Sequence, residues 1–182
     1  MHLKVELGKN IYDIILVTRS PDELLAVGYT KVAQVLLQLF TSELHAAFAE
    51  NSKVKVAVAP VKDLQRCIAK FVDYKPPCSS HICDYLRASV LCQSFSDIEG
   101  ALVTLCTKFK VTRIKSRIGP STTGNKAILV NLVVKDETIK CNSYAWSGWW
   151  DKQPVQMLAE VIFQSHFHLF CQKLTKNSLS YL

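Results

Sequence analysis

The chain has 182 residues, of which 49% are hydrophobic and 20% are charged. This length fits one domain or one domain with an added arm, and the apolar content excludes an intrinsically disordered chain. Lysine and arginine outnumber aspartate and glutamate by 22 to 15, for a net charge of +7. Such an excess favours polyanionic partners such as nucleotides, RNA or an acidic protein surface, although solubility alone accounts for it equally well.

The first recognisable element is a long amphipathic helix. Ser20 is a suitable N-cap, Pro21 fits the first helical turn, and the acids that follow suit the positive end of the helix. Apolar residues then recur at helical spacing to about residue 50. We expect residues 1–52 to be an N-terminal segment whose helix packs on a core domain of residues 53–182.

The first half of the core domain alternates strands with helices. Residues 53–60 place Lys53 and Lys55 on one face and valines on the other, which predicts a half-buried strand ending at Pro60. Residues 62–73 predict a short helix, and residues 82–92 predict the next strand. A further helix is expected to begin at Ser96, with Glu99 completing a capping box, and to end near Lys108.

The second half is rich in strands. Residues 110–118 alternate, with three basic side chains on one face: Arg113, Lys115 and Arg117. Residues 127–134 are apolar throughout, as in a central strand, and residues 139–146 predict another strand. Residues 153–176 predict a final helix. The expected fold class is α/β (α+β), with a mixed, roughly five-stranded sheet covered by helices.

The cysteines indicate the compartment. Seven occur, an odd number, and several lie in apolar runs, which predicts reduced thiols and an intracellular, reducing compartment. Cys78, His81 and Cys83 form the one local group of metal-type ligands, and their spacing is not that of a zinc finger. The first twenty residues lack a signal-type apolar run and no stretch of eighteen apolar residues occurs, so we expect neither a secretion signal nor a membrane partner.

Several short motifs, in this order, resemble the RelA/SpoT-like synthetase domain, one of the nucleotidyltransferase-like folds. Lys62 and Lys70 have the spacing of two lysines that follow the first core strand in that family. Asp84 fits the acid that opens the next strand in that family. It begins the motif "DYLRAS", which is similar to the motif of diverged eukaryotic members. The resemblance implies phosphate or nucleotide binding by Lys62, Lys70 and Arg87, and a metal ligand at Asp84.

The departures from the family pattern concern its catalytic residues. Aligned in this way, the family's two arginines, guanine-stacking Tyr, metal-binding Glu and Gln fall on Pro60, Ser89, Asn125, Asn142 and Tyr144. An amide at position 142 supplies neither a charged ligand nor a base, so Asp84 and Arg87 would be remnants of a catalytic site. We therefore expect a non-catalytic binding or structural subunit of a larger protein or RNA–protein assembly, without a cofactor.

Two alternatives remain open. The chain could be an active nucleotide pyrophosphokinase or nucleotidyltransferase with rearranged metal ligands, in which case Mg²⁺ is the expected cofactor. It could instead bind RNA through the basic face of Arg113, Lys115 and Arg117, although a solvated edge explains the same pattern. The number of carboxylates in the cleft separates these interpretations: one, at Asp84, favours a binding module, and two or more favour an enzyme.

A cluster of aromatic residues gives a separate expectation about partners. Residues 144–150, "YAWSGWW", contain four aromatic residues, and Trp149 and Trp150 are adjacent beyond a predicted strand. Large aromatic side chains are enriched at the centres of protein interfaces. We expect these two tryptophans to bind a partner protein, with packing on the final helix as the alternative.

Overall fold

The structure is a computed structural model, and it describes residues 20–118, 127–140 and 154–165. In chain order these residues form helix α1 (Pro21–Ala47), strand β1 (Val54–Val58), helix α2 (Leu64–Ile68), two 3-10 helices (Ala69–Asp73 and Cys78–His81), strand β2 (Leu86–Cys92), helix α3 (Phe95–Lys108) and strands β3 (Lys110–Ser116), β4 (Ile128–Lys140) and β5 (Pro154–Ser165).

Helix α1 begins where its sequence predicts. The Ser20 side chain accepts a hydrogen bond from the backbone N–H of Glu23 at 3.2 Å, and Pro21 lies in the first turn. The helix buries one stripe of residues, which includes Leu36, Phe40 and Leu44. This stripe belongs to the same hydrophobic cluster as the sheet, so α1 packs directly on the core.

By length and composition α1 is also apolar enough to cross a membrane, with a mean hydropathy of 1.3 over 18 residues. A core helix of a soluble protein passes the same test. Here the apolar stripe already has a partner, because Leu36, Phe40 and Leu44 are completely buried against the sheet. The expectation that no membrane is bound stays a prediction.

The five strands form one mixed sheet in the order β1-β2-β5-β4-β3. Strands β2 and β5 are parallel, and the other three neighbouring pairs are antiparallel. This architecture confirms the predicted α+β class and the mixed sheet of five strands.

The two faces of the sheet differ in chemistry. On the core face, alternate residues of the three central strands pack with α1 and α3: Leu86, Ala88, Val90, Val130, Leu132, Val134, Ala159, Val161 and Phe163. Because successive side chains of a strand point to opposite faces, the residues between them lie on the other face. That second face, called the site face below, includes Arg87, Asn131 and Glu160.

The structure corrects the predicted final helix. Residues 154–165, expected to be helical, form strand β5 between β2 and β4. A central strand is partly buried on both faces, so Leu158 and Ile162 are apolar although they do not face the core. An apolar run of this kind does not distinguish strand from helix by periodicity alone. Residues 166–176 lie outside the described part of the chain.

Other element boundaries also differ from expectation. Helix α3 is capped by Ser94, and its capping box is formed with Asp97, so the predicted cap at Ser96 with Glu99 is wrong by two residues. Strand β4 continues to Lys140, so residues 139 and 140 end β4 instead of beginning a new strand. The rest of that predicted strand, residues 141–146, lies outside the described residues.

Candidate active site

The site is built around the carboxylate of Asp84, which lies two residues before β2. The ammonium groups of Lys62 and Lys70 both bind its Oδ2 atom, at 2.5 Å and 3.1 Å. The Lys62 side chain is almost completely buried, whereas that of Lys70 is 40% exposed. Asp84 therefore pairs with these two lysines and not with Arg87, although the spacing of Asp84 and Arg87 allowed such a pair.

Backbone contacts place the two lysines. After β1, the chain stays beside β2, because the N–H groups of Ala59 and Lys62 donate to the carbonyls of Arg87 and Tyr85 at 2.9 Å and 3.0 Å. Asp63 then caps α2 through the N–H of Gln65 at 2.9 Å. This helix and the 3-10 helix after it bring the chain back, so that Lys70, eight residues after Lys62, also reaches Asp84.

Burial and ion pairing act in opposite directions on Asp84. Burial acts to raise the pKa of its carboxyl group, but the hydrogen bonds from Lys62 and Lys70 outweigh burial and lower it. For Lys62, burial is the larger influence and lowers the pKa of its ammonium group, despite the hydrogen bond to Asp84. The carboxylate is thus held in its ionised form by the two neighbouring cations.

A second carboxylate, that of Glu160 in β5, lies near enough to Asp84 to respond to its charge. Asp84 and Glu160 are called the acidic pair below. Burial raises the pKa of Glu160, and the negative charge of Asp84 raises it further. The motif resemblance placed the family's Glu at Asn142, because residues 139–146 were expected to be the strand after the long apolar strand. Within the described residues the strand that follows β4 is β5, and it carries Glu160 on the site face. Alternating apolar residues at 155, 157, 159, 161 and 163 were the signal that could have located it.

A row of polar and charged residues crosses the site face through Glu160. Arg87 lies opposite Glu160 in the parallel pair β2–β5, and Asn131 lies opposite it in β4. Arg113 of β3 lies opposite Asn131 in turn. Since residues directly opposite in a ladder share one face, Arg113, Asn131, Glu160 and Arg87 form a continuous row.

Arg87 has an unused donor in this row. Its Nε atom is buried and has no hydrogen-bond partner, and within the described ranges its side chain makes no ion pair. A buried donor without an acceptor costs free energy, which an anionic ligand would recover.

The basic strand β3 borders the same face. Lys115 lies opposite Leu129 of β4, which lies opposite Ile162 of β5, so Lys115 follows Arg113 on the site face. The backbone N–H of Arg117 donates to the carbonyl of Ala127 at 2.8 Å, which continues the pairing, and the charge of Arg117 acts to lower the pKa of Glu160. The three predicted basic residues therefore flank the acidic pair.

Residues close in sequence to the two acids line a cavity of about 400 Å³, although the acids themselves do not. Its lining includes Tyr85, the residue after Asp84, and Leu158, which is two residues before Glu160 on the same face of β5. Tyr29, Thr112 and Gln156 add aromatic and uncharged polar surface. The volume lies in the range of small-molecule pockets.

The described residues do not supply a metal centre from protein ligands alone. Among them, no group of three or more histidine, cysteine, aspartate or glutamate side chains could hold a metal ion. Of the predicted local group, His81 stacks on Tyr74, and the Cys78 thiol donates to the carbonyl of Tyr74.

Asn125, Asn142, Tyr144 and the two tryptophans Trp149 and Trp150 lie outside the described residues. The partner-binding assignment of Trp149 and Trp150 stays a prediction.

Comparison with known proteins identifies the fold. No family model matches the sequence, and no curated protein is similar to it in sequence. A GTP pyrophosphokinase family protein from Streptococcus pneumoniae is 15% identical, with a TM-score of 0.56 over 83% of this chain and 71% of that chain. Small alarmone synthetase 2 from Bacillus subtilis is 15% identical, with a TM-score of 0.59 over 84% of this chain and 78% of that chain.

A further match is small alarmone synthetase 1 from Bacillus subtilis, solved with its product pppGpp. It is 16% identical, with a TM-score of 0.57 over 85% of this chain and 78% of that chain.

These findings overturn the expected non-catalytic function. The proteins that share the fold are named as a pyrophosphokinase and as alarmone synthetases. The number of carboxylates, which separates the two interpretations, is at least two within the described residues, because Glu160 lies near enough to Asp84 to respond to its charge. The prediction of a binding or structural subunit is therefore wrong, and the enzyme alternative fits better. The resemblance of the sequence motifs is confirmed: the chain has the fold of the RelA/SpoT-like synthetases.

Proposed function

We propose that this protein is a nucleotide pyrophosphokinase that transfers a pyrophosphoryl group from ATP to GDP or GTP. The observation that carries the proposal is the acidic pair Asp84 and Glu160 beside Lys62 and Lys70, on a sheet that also presents basic residues. The names of the solved structures with this fold support the same reaction class.

The proposed reaction is a displacement at phosphorus. A hydroxyl oxygen of the acceptor bonds to the β-phosphorus of ATP, and the bond from that phosphorus to the oxygen bridging to the α-phosphate breaks. AMP leaves with that oxygen, and the acceptor loses its hydroxyl proton. Catalysis of such a transfer depends mainly on positioning and on offsetting charge at the phosphate oxygens.

Cationic residues on this chain suit the phosphates. Lys70 and Arg87 would hold the donor phosphates, and the unpartnered Nε–H of Arg87 is available to a phosphate oxygen. Lys62, which is buried against Asp84, would keep that carboxylate in place. Arg113, Lys115 and Arg117 would hold the acceptor's phosphates from the other side of Glu160. The cavity beside Tyr85 and Leu158 is large enough for the nucleoside of one substrate.

Glu160 is the proposed general base. Its carboxylate would accept the proton of the acceptor hydroxyl. Burial and the nearby Asp84 raise its pKa, which makes it a stronger base than an exposed glutamate.

The donor set also fits Mg²⁺. This ion prefers oxygen ligands and is commonly bound by one or two carboxylates together with substrate phosphates. Asp84, with Glu160 nearby, matches that requirement. When bound, Mg²⁺ would offset negative charge on the phosphate oxygens.

The position of the basic residues favours a nucleotide over RNA. Arg113 and Lys115 share the site face with the acidic pair and do not form a separate surface, so their charge is directed at the same ligand as that of Arg87. The RNA-binding alternative, the larger assembly and the intracellular compartment stay predictions.

The test is to incubate the purified chain with ATP, Mg²⁺ and GDP or GTP, and to measure AMP and the acceptor product by anion-exchange chromatography. We expect AMP in proportion to product, and a loss on the order of 100-fold or more for Glu160→Gln and for Asp84→Asn. Glu137→Gln is the matched control, because Glu137 is 70% exposed and pairs with Lys135 on β4. Absence of AMP formation by the wild type, or full activity of Glu160→Gln, would overturn the proposal.

A further inference from the structure

We propose that Lys70 is a displaceable counter-ion that withholds Asp84 from a divalent cation until the phosphates of a nucleoside triphosphate draw Lys70 away. The proposal rests on the function proposed above and concerns how that site is loaded. It predicts that the cation binds poorly to the free protein and well once nucleotide is present.

The first argument is that the metal ligand is already occupied. Both ammonium groups bind the same oxygen of Asp84, at 2.5 Å for Lys62 and 3.1 Å for Lys70. A cation that approached this oxygen would meet two positive charges within a few ångströms, where Coulomb repulsion is strong because the site is partly shielded from water. The carboxylate therefore cannot take a cation at Oδ2 while both lysines remain in place.

The second argument is that the two lysines are not equivalent. The side chain of Lys62 is 4% exposed, and its backbone N–H is fixed to the carbonyl of Tyr85. The side chain of Lys70 is 40% exposed, its contact with Asp84 is longer, and it lies in a short 3-10 helix. Displacement of Lys70 therefore breaks an ion pair that water already screens and disturbs little packing. Lys62 is held on all sides and stays beside Asp84 as a fixed partner.

The third argument is the balance of charge. Three positive groups, on Lys62, Lys70 and Arg87, lie with two carboxylates, on Asp84 and Glu160. A divalent cation without nucleotide increases the excess of positive charge. The negative charge of a triphosphate offsets that excess, and its oxygens accept hydrogen bonds from Lys70 and Arg87. The favoured sequence is thus nucleotide first, or nucleotide and cation together.

The experiment uses Mn²⁺ as the probe and measures its binding to the full chain without nucleotide, from the loss of the free-ion signal in electron paramagnetic resonance. We expect weak binding to the wild type and binding on the order of tenfold tighter for Lys70→Met, which removes the charge but keeps side-chain length. Lys70→Gln should behave like Lys70→Met, and Lys70→Arg should behave like the wild type.

Two controls identify the cause. Lys53→Met removes an exposed lysine whose ion pair, to Asp97 at 3.5 Å, lies outside the site, and it should leave Mn²⁺ binding unchanged. Asp84→Asn in the Lys70→Met background should abolish the gain. Circular dichroism of each variant reports whether it is folded.

Equal Mn²⁺ affinity of the wild type, Lys70→Met and Lys70→Gln would overturn the proposal, as would a gain that survives Asp84→Asn. This readout is independent of turnover. A protein that binds Mn²⁺ as expected but forms no AMP would contradict the proposed function alone, and an active enzyme without the Lys70 effect would contradict this inference alone.

Discussion

Arg87 and Glu160 lie directly opposite each other on the parallel strands β2 and β5, and both face away from the core. The pairing joins two segments that are far apart in sequence, because β5 is inserted between β2 and β4. The parallel register thereby aligns a half-buried cation with the second carboxylate of the site.

This relationship predicts a specific effect of Arg87. Replacement by Leu removes the guanidinium group whose Nε–H has no partner, so we expect a loss on the order of 10- to 100-fold in kcat/KM for ATP if Arg87 holds a phosphate through a charged hydrogen bond. Arg87→Lys should recover only part of the loss, because an ammonium group does not reproduce the planar guanidinium. Steady-state kinetics of AMP formation measure both effects, and unchanged kinetics in Arg87→Leu would contradict the phosphate-binding assignment.

The two lysines should also differ in their effect on stability. We expect Lys62→Met to destabilise the fold by about 1–3 kcal/mol, because the Lys62 side chain is 4% exposed and water cannot replace its charge beside Asp84. Lys70→Met should cost less than about 1 kcal/mol, since that lysine is 40% exposed and solvent screens its ion pair. Urea denaturation measures the free energy of unfolding, and equal losses in the two variants would contradict the distinction between a fixed and a displaceable lysine.

The cap of helix α3 gives a prediction that depends on pH. The Ser94 side chain accepts from the N–H of Asp97 at 3.3 Å, and the Asp97 carboxylate accepts from the N–H of Ser94 at 3.0 Å. We expect Ser94→Ala to cost about 1 kcal/mol of unfolding free energy at neutral pH. Ser96→Ala is the matched control and should cost less, because Ser96 only contacts the Ser94 hydroxyl at 2.8 Å.

The sign of the pH effect follows from Asp97. Hydrogen bonds with Ser94 lower the pKa of its carboxyl group, so its contribution to stability is present above the unfolded value near 4 and is lost as pH falls through the folded pKa. Asp97→Asn and Ser94→Ala should therefore flatten the loss of stability below about pH 4. Denaturation midpoints at several acidic pH values test this, and a slope equal to that of the wild type would contradict it.

Half of the site could be predicted from the sequence because its determinants are local. Lys62, Lys70 and Asp84 lie within 23 residues, joined by short turns and helices whose caps are readable, and the structure brings them together. Glu160 depends on which segment fills the centre of the sheet, and that is decided by non-local pairing. Residues 139–146 and residues 154–165 both suit a strand, and only the register with β2 selects the second.

The assignment of β5 as a central strand leads to a final prediction about packing. Phe163 is completely buried on the core face beside Val161, and its partners in the ladders are Val90 of β2 and Ile128 of β4. We expect Phe163→Ala to cost about 3–5 kcal/mol of unfolding free energy, through lost burial and the cavity that remains. Gln164→Ala is the neighbouring control on the site face and should cost less than about 1 kcal/mol.

The same reasoning separates a strand from a helix over residues 161–164. In a strand, the loss of unfolding free energy on substitution by alanine should alternate between large and small from one position to the next. In a helix, positions 163 and 164 would lie only about one-quarter turn apart, and this alternation would not arise. Chemical denaturation of single alanine variants across these four positions measures the pattern, and similar costs at Val161, Ile162, Phe163 and Gln164 would contradict the strand and with it the placement of Glu160 beside Asp84.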